Sequence, residues 1–378
     1  MRKLALSDEI LMKVEKPARY IGGEYNSVIK DKDKIDVRFC MCFPDVYEIG
    51  MSHLGIQILY DMFNRREDTW CERVYSPWPD LDAEMRKHAI PLFALESQDP
   101  IKDFDFLGIT LQYEMCYTNI LQVLDLSGIP LRTKDRKKGD TLVIGGGPCS
   151  YNPEPIADFF DIFYMGEGEV SYDELLELYK VYKHSDMTRQ EFLIKVSNIP
   201  GLYVPELYEV TYHEDGTIAS FGPKFDGVPA TVTKTVVMDH SKVTYPEKPV
   251  VSFMKLTQDR VVLEIMRGCI RGCRFCQAGM IYRPTRPKNV DMLKGYAEKM
   301  LASTGHEEIT FSSLSSSDYE DLPELTDCLI EKMDNEHVNI SLPSLRIDAF
   351  SLDVMSKIQD VKKSSLTFAP EALSLIHI

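Results

Sequence analysis

Short apolar runs alternate with helical stripes along most of this chain, and the pattern changes character twice. Val37–Phe43 reads as a strand, and Leu54, Ile58, Leu59 and Met62 then recur at helical spacing. Phe104–Leu111 is a second strand, followed by a helix through Asn119–Leu126. Leu142-Val143-Ile144 is a third strand, ending in Gly145-Gly146-Gly147-Pro148. Phe160–Tyr164 is a fourth, running into Gly166-Glu167-Gly168-Glu169 and a helix through Leu175, Leu176 and Leu178. Strands alternating with helices over 37–195 predict a Rossmann-like, doubly wound parallel sheet. In such sheets the ligand crevice lies at the carboxyl ends of the strands. The loops after Phe43, Leu111, Ile144 and Met165 should therefore open together.

Residues 1–36 are a polar lead-in with turn punctuation at Lys16-Pro17 and Gly22-Gly23. Across 196–255, Leu207–Tyr212 and Thr217–Phe221 flank Asp215-Gly216, a hairpin signature, and several prolines follow. This is a β linker. From 256 to 372 the alternation returns. Val261–Ile265 is a strand, and Met292, Leu293, Tyr296, Ala297, Met300 and Leu301 form a helical stripe. Then come strand Glu308–Ser313, helix Asp318–Asn335, strand Asn339–Arg346, helix Ser351–Gln359 and a strand start at Ser365–Phe368. Repeated strand–helix units predict the first half of a partial TIM barrel, with its site on the loops after the strands.

The 378 residues are 44% hydrophobic and 27% charged, ordinary for a soluble globular protein of two or three domains. No apolar run reaches the roughly 20 residues that span a bilayer, and the start turns acidic too early for a secretion signal. The expected location is the cytoplasm. A net charge of −16 argues against a phosphate-tracking surface, although the basic stretch 132–138 leaves RNA open as a partner.

Among nine cysteines, Cys40, Cys42, Cys71, Cys116, Cys149 and Cys328 are scattered among apolar neighbours and read as packing residues. The other three form Cys269-Ile-Arg-Gly-Cys273-Arg-Phe-Cys276, directly after a strand. Three thiolates on one tight loop can hold three irons of a cubane cluster and leave the fourth open to a substrate. Gly268 and Gly272 permit the sharp turn, and Arg267, Arg271 and Arg274 favour ionised sulfurs. Zinc would want four ligands, for which Cys328 is the remote candidate. Inert buried thiols are the third reading, and a disulfide does not suit a reducing compartment.

The C-x3-C-x2-C spacing after a strand resembles the radical SAM superfamily. The wider chain resembles an uncharacterised group within it that has an N-terminal cobalamin-binding-like domain. The stretches that carry this are Phe43–Gly55, Gly145–Cys149, Gly166–Glu169, Leu314–Tyr319, Ser341–Arg346 and Phe368–Ala372. The resemblance implies a [4Fe–4S] cluster on Cys269, Cys273 and Cys276 that reductively cleaves S-adenosylmethionine. It implies that Phe275 packs near the adenine. It also implies that Ser313 and Ser315 stand where the cofactor's amino group binds, although the usual Gly-Gly-Glu is absent. Arg346 would meet its carboxylate and Glu371 its ribose. Gly145, Gly146, Gly147, Gly166 and Gly168 would give close backbone contact to a nucleotide-like tail, with cobalamin as the further cofactor. Many cobalamin domains use Asp-x-His-x-x-Gly, but here Met51-Ser52-His53-Leu54-Gly55 keeps only the histidine. Cobalamin without a protein ligand to cobalt, and a degenerate domain that binds nothing, both stay open.

The expected function is radical chemistry on an unknown substrate, with a reducing protein as electron donor and cobalamin-dependent methyl transfer as one route. The alternatives are an RNA-modifying methylthiotransferase-like enzyme and a non-catalytic iron–sulfur binding or sensor protein. Relatives are expected to finish the barrel and often to add a further domain. The last six residues, 373–378, break the preceding pattern. Written as the codons CTG-TCT-CTT-ATA-CAC-ATC, which encode these residues, they would spell a common transposon sequencing adapter. An adapter-derived tail is the expectation, and different codons in the gene would overturn it.

Overall fold

A computed structural model describes residues 4–333, 338–346 and 368–369. The helix expected over Ser351–Gln359, the candidate Glu371 and the tail 373–378 lie outside the described residues. The chain divides into two compact units. One comprises Met1–Val237 with Val251–Thr257, the other Met238–Val250 with Gln258–Ile378.

The first unit is built on a six-stranded sheet. Its strands are β1 (Val37–Phe43), β2 (Thr69–Tyr75), β3 (Phe106–Thr110), β4 (Leu142–Gly146), β5 (Ile162–Tyr164) and β6 (Leu202–Tyr203), in the order β2-β1-β3-β4-β5-β6. All neighbours pair parallel except β5 and β6, which are antiparallel. Parallel strands need crossover connections, and helices Leu54–Arg65 and Tyr117–Ser127 lie in those from β1 to β2 and from β3 to β4, while Tyr172–Lys183 lies between β5 and β6. Each helix buries an apolar stripe, such as Ile56, Ile58, Tyr60 and Phe63 on the first. Phe39 on β1 stacks on Phe63 at 4.3 Å and on Phe106 at 5.4 Å. Burying each such side chain contributes about 1.5–3 kcal/mol.

Strand β2 is absent from the apolar pattern because it carries Glu72 and Arg73, both buried. They stay inside because they are paired. Arg73 donates to Glu96 Oε1 at 2.6 Å and to Glu24 Oε2 at 3.0 Å. Glu72 accepts from Arg38 at 2.5 Å. Glu24 comes from the polar lead-in, which thus packs into the first unit. The expected hairpin is present as β7 (Tyr208–Tyr212) and β8 (Ile218–Pro223), with Gly216 at φ +82° in the turn.

The second unit contains the parallel strands β9 (Val261–Glu264), β12 (Glu308–Ser312) and β13 (Asn339–Ser341), in the order β13-β12-β9. A short antiparallel pair joins β10 (Met266–Arg267) to β11 (Arg286–Pro287), and β14 (Leu345–Arg346) pairs parallel with β15 (Phe368–Ala369). Helices Val290–Thr304 and Leu322–Met333 follow β9 and β12 in the chain. The parallel sheet agrees with a strand–helix barrel fragment, and no closed barrel exists among the described residues. No helix among them is long and apolar enough to cross a membrane.

Candidate active site

The cysteine loop leaves the carboxyl end of β9. Its base is a two-residue ladder, Met266 opposite Pro287 and Arg267 opposite Arg286. Gly268 turns the chain at φ +81°, where a Cβ would stand 2.4 Å from the Pro284 carbonyl oxygen. Only glycine fits there, so the glycine just before Cys269 is a steric requirement. Cys269, Cys273 and Cys276 are all half-buried. The Arg271 N–H donates to Cys269 Sγ and the Gly279 N–H to Cys276 Sγ, each at 3.4 Å. The Cys276 N–H bonds the Cys273 carbonyl at 3.1 Å.

Among the described residues, no three His, Cys, Asp or Glu side chains stand where they could hold one metal ion. A lone zinc needs its donors converging on a single point. A cubane does not, because its ligated irons occupy separate corners, each taking one thiolate. Three free, half-buried thiols on one loop are a donor set that a cubane cluster can take, one thiolate per ligated iron.

Two of the three loop arginines are held in ion pairs. Arg267 Nε donates to Glu264 Oε2 at 2.9 Å, and Lys288 Nζ meets the same oxygen at 2.7 Å. Burial works to raise the Glu264 carboxyl, but the Lys288 and Arg267 charges and hydrogen bonds outweigh it and hold it at about 2. Lys288 also lies over the Tyr245 ring at 4.2 Å, and the Tyr245 hydroxyl accepts from the Glu264 N–H at 3.0 Å. Arg271 Nε donates to Asp318 Oδ2 at 2.9 Å, with a second bond from Nη2 to Oδ1. Arg274 is exposed.

The remaining expected residues are placed as follows. Phe275 is 73% exposed at the loop. Ser313 and Ser315 follow β12, but their hydroxyls are engaged internally. Ser313 Oγ pairs with Ser316 Oγ at 3.0 Å, and Ser315 Oγ donates to Asp318 Oδ2 at 2.7 Å. Ser315 is buried. The Arg346 N–H donates to Ser317 Oγ at 3.2 Å, and its charge helps to hold the Asp318 carboxyl low, after the larger effect of the Arg271 hydrogen bond. The structure thus brings Arg346 to the Asp318 turn. Glu264, Lys288, Tyr245 and Asp318 were not among the expected site residues. A lone carboxylate inside the run Val261–Ile265 was the signal available for the first.

In the first unit, the loops after β1, β3, β4 and β5 carry the second candidate. Tyr113 donates its hydroxyl to Asp45, and Asn119 Nδ2 donates to the Pro44 carbonyl at 2.9 Å. His53 caps helix Leu54–Arg65, its Nδ1 accepting from the Ile56 N–H at 3.3 Å. Burial pushes its pKa down to about 4, against a smaller opposing hydrogen bond to Gln112. The ring is therefore neutral near pH 7, with the Nδ1 lone pair engaged and the proton on Nε2. Most of the glycines have packing reasons. A Cβ on Gly145 would meet Leu111 at 2.8 Å, on Gly147 the Leu111 carbonyl at 2.9 Å, on Gly166 the Thr235 carbonyl at 2.2 Å, and on Gly168 Leu59 at 2.9 Å. Only at Gly146, of these five, does a Cβ meet nothing nearer than 3.8 Å.

Residues 55–205 match the family of radical SAM proteins' N-terminal regions, and residues 263–375 match the radical SAM superfamily. An uncharacterized protein of Methanocaldococcus jannaschii, MJ0966, is 29% identical over 333 residues, which is 87% of this chain and 59% of that relative. The chain thus spans 59% of the length of the relative it matches. Among solved structures, the cobalamin-dependent S-adenosylmethionine radical enzyme OxsB with aqua-cobalamin bound aligns with a TM-score of 0.51 and 13% identity. That alignment covers 86% of this chain and 42% of OxsB. The radical S-adenosylmethionine methyltransferase TsrM from Kitasatospora setae aligns at a TM-score of 0.48 and 12% identity, over 86% of this chain and 56% of that one. The OxsB likeness is one of fold.

Proposed function

We propose that this chain, which belongs to the radical SAM superfamily through residues 55–205 and 263–375, holds a [4Fe–4S] cluster on Cys269, Cys273 and Cys276 and cleaves S-adenosylmethionine. The observation that carries this is three half-buried thiols on one loop at a strand's carboxyl end, inside the region that matches the radical SAM superfamily. When bound, the cluster supplies one electron to the sulfonium, whose carbon–sulfur bond breaks to give methionine and a 5′-deoxyadenosyl radical. A reducing protein is the natural source of that electron, and a reducing compartment such as the cytoplasm suits it.

The chain's own residues do the holding. Gly268 and the β10–β11 ladder shape the loop, backbone N–H groups donate to two of the sulfurs, and Glu264 fixes Arg267 beside Cys269. Arg346 supplies positive charge at the Asp318 turn, where a carboxylate of the sulfonium cofactor would find it. Ser313 pairs with Ser316 and Ser315 donates to Asp318, and both oxygens keep lone pairs with which to accept from the cofactor's ammonium. For the first unit, the loops at the parallel strand ends and a fold shared with a cobalamin enzyme support corrinoid binding, and methyl transfer is chemistry that a bound corrinoid would supply. His53 is committed to its helix cap, so the corrinoid would bind without that residue as a cobalt ligand.

Anaerobic reconstitution of the full chain with iron and sulfide tests the main claim. The expected result is a brown protein with about four irons per chain that releases 5′-deoxyadenosine and methionine on reduction with S-adenosylmethionine. Protein that stays colourless, or whose iron content is unchanged when Cys269, Cys273 and Cys276 are all replaced by alanine, would overturn it.

A further inference from the structure

We propose that Asp318 is a positioning residue for the cysteine loop. It holds the Arg271 guanidinium, and with it the turn between Cys269 and Cys273, in the shape that receives the cluster. The inference rests on the cluster reading above and deepens it.

Arg271 is fixed at three points. Its N–H donates to Cys269 Sγ at 3.4 Å, its carbonyl accepts from Arg283 Nη2 at 2.9 Å, and its guanidinium forks onto both Asp318 oxygens. A bidentate pair fixes orientation as well as distance, which a single contact does not. Asp318 is itself held. It ends the turn Ser316–Asp318, its side chain is 6% exposed, and Ser315 Oγ donates to it at 2.7 Å. The next residue, Tyr319, is buried and donates its hydroxyl to the Lys288 carbonyl at 2.8 Å, just past β11 where the loop leaves. One short segment, 315–319, thus grips the loop between its first two cysteines and again at its exit. Ser315, one of the two serines expected at the cofactor's amino group, turns its hydroxyl onto Asp318 and so belongs to this grip.

The pair also sets charge. Asp318 offsets the Arg271 charge on the cysteine loop, and cluster potentials respond to nearby net charge and to hydrogen bonds at sulfur. The two partners should therefore act alike on retention and oppositely on potential, a contrast that a purely structural role does not produce.

The test uses the reconstituted full chain, wild type against D318N and R271Q, with D318E as the conservative variant and a thermal melt as the check on folding. Outer-shell partners of metal sites are typically worth about 10–100-fold in affinity. Iron retention against a chelator should fall about tenfold in both D318N and R271Q. The midpoint potential should move positive in D318N and negative in R271Q, and D318E should recover part of both effects. If D318N does not fold, the exposed-side variant R271Q carries the test alone through retention and potential. Wild-type retention and potential in R271Q and in folded D318N overturn the proposal. A wild-type chain that takes up no cluster overturns the cluster reading instead.

Discussion

Glu264 has to be paired, because a carboxylate this enclosed would otherwise give up its charge. Burial raises it, Lys288 and Arg267 lower it further, and the balance leaves it near 2 against an ordinary 4.5. A lowered folded value means the pair stabilises above the ordinary carboxyl range and loses that contribution as pH falls from about 4.5 toward about 2. E264Q should therefore cost roughly 3 kcal/mol at pH 7, since it strands the buried Lys288. Denaturant titrations at pH 7 and pH 3.5 check the sign, and the gap from wild type should narrow at the lower pH. Glycines can be sorted at the same scale. Gly166 sits at φ +110° with a Cβ position 2.2 Å from the Thr235 carbonyl. G166A should lose about 1–3 kcal/mol, whereas G146A should stay within about 0.5 kcal/mol. Chemical denaturation of both settles it, and equal losses would contradict the packing account. The glycine clusters were visible in the sequence, and their partners were not. Thr235 is nearly seventy positions from Gly166, a pairing that no local pattern encodes.

Elements with a clean apolar period were legible. Strands β1, β3, β4 and β5 and the helix Val290–Thr304 stand where alternation and 3.6-residue spacing put them. Strand β2 did not, because Thr69-Trp70-Cys71-Glu72-Arg73-Val74-Tyr75 interrupts its hydrophobics with two charges. Those charges are buried only because Arg38, Glu24 and Glu96 come to them from elsewhere. The pattern therefore depends on tertiary partners. Removing one partner leaves the others uncompensated, so R73L should destabilise by about 3–5 kcal/mol by urea unfolding. A loss under about 1 kcal/mol would mean that the network is solvated in solution. The cysteine loop shows the same division. Its ligand spacing was readable, but the Arg271–Asp318 fork joins residues 47 positions apart.

At the scale of the molecule, the stretch read as a linker over 196–255 is shared between the two units. Leu202–Tyr203 closes the first sheet as β6, and Val251 bridges to Tyr25 while Ser252 hydrogen-bonds Tyr47, all within the first unit. Met238–Val250 belongs to the second, where Tyr245 stacks on Tyr296 at 4.7 Å and bonds the β9 backbone. Proline-rich composition suggested a tether, but side chains such as Tyr245 and Val250 bury apolar surface, and burial decides where a segment docks. Each unit has its own parallel sheet with its own strand-end loops, so their ligands should be separable. The triple variant C269A/C273A/C276A removes the cluster donors without touching any residue of the first unit. It should lose its iron, keep the wild-type unfolding of the first unit, and retain added cobalamin through desalting as well as wild type does. The first two results without the third would mean that corrinoid retention requires the loaded cluster. If neither wild type nor variant retains corrinoid absorbance, the strand-end loops of the first unit serve another ligand or none.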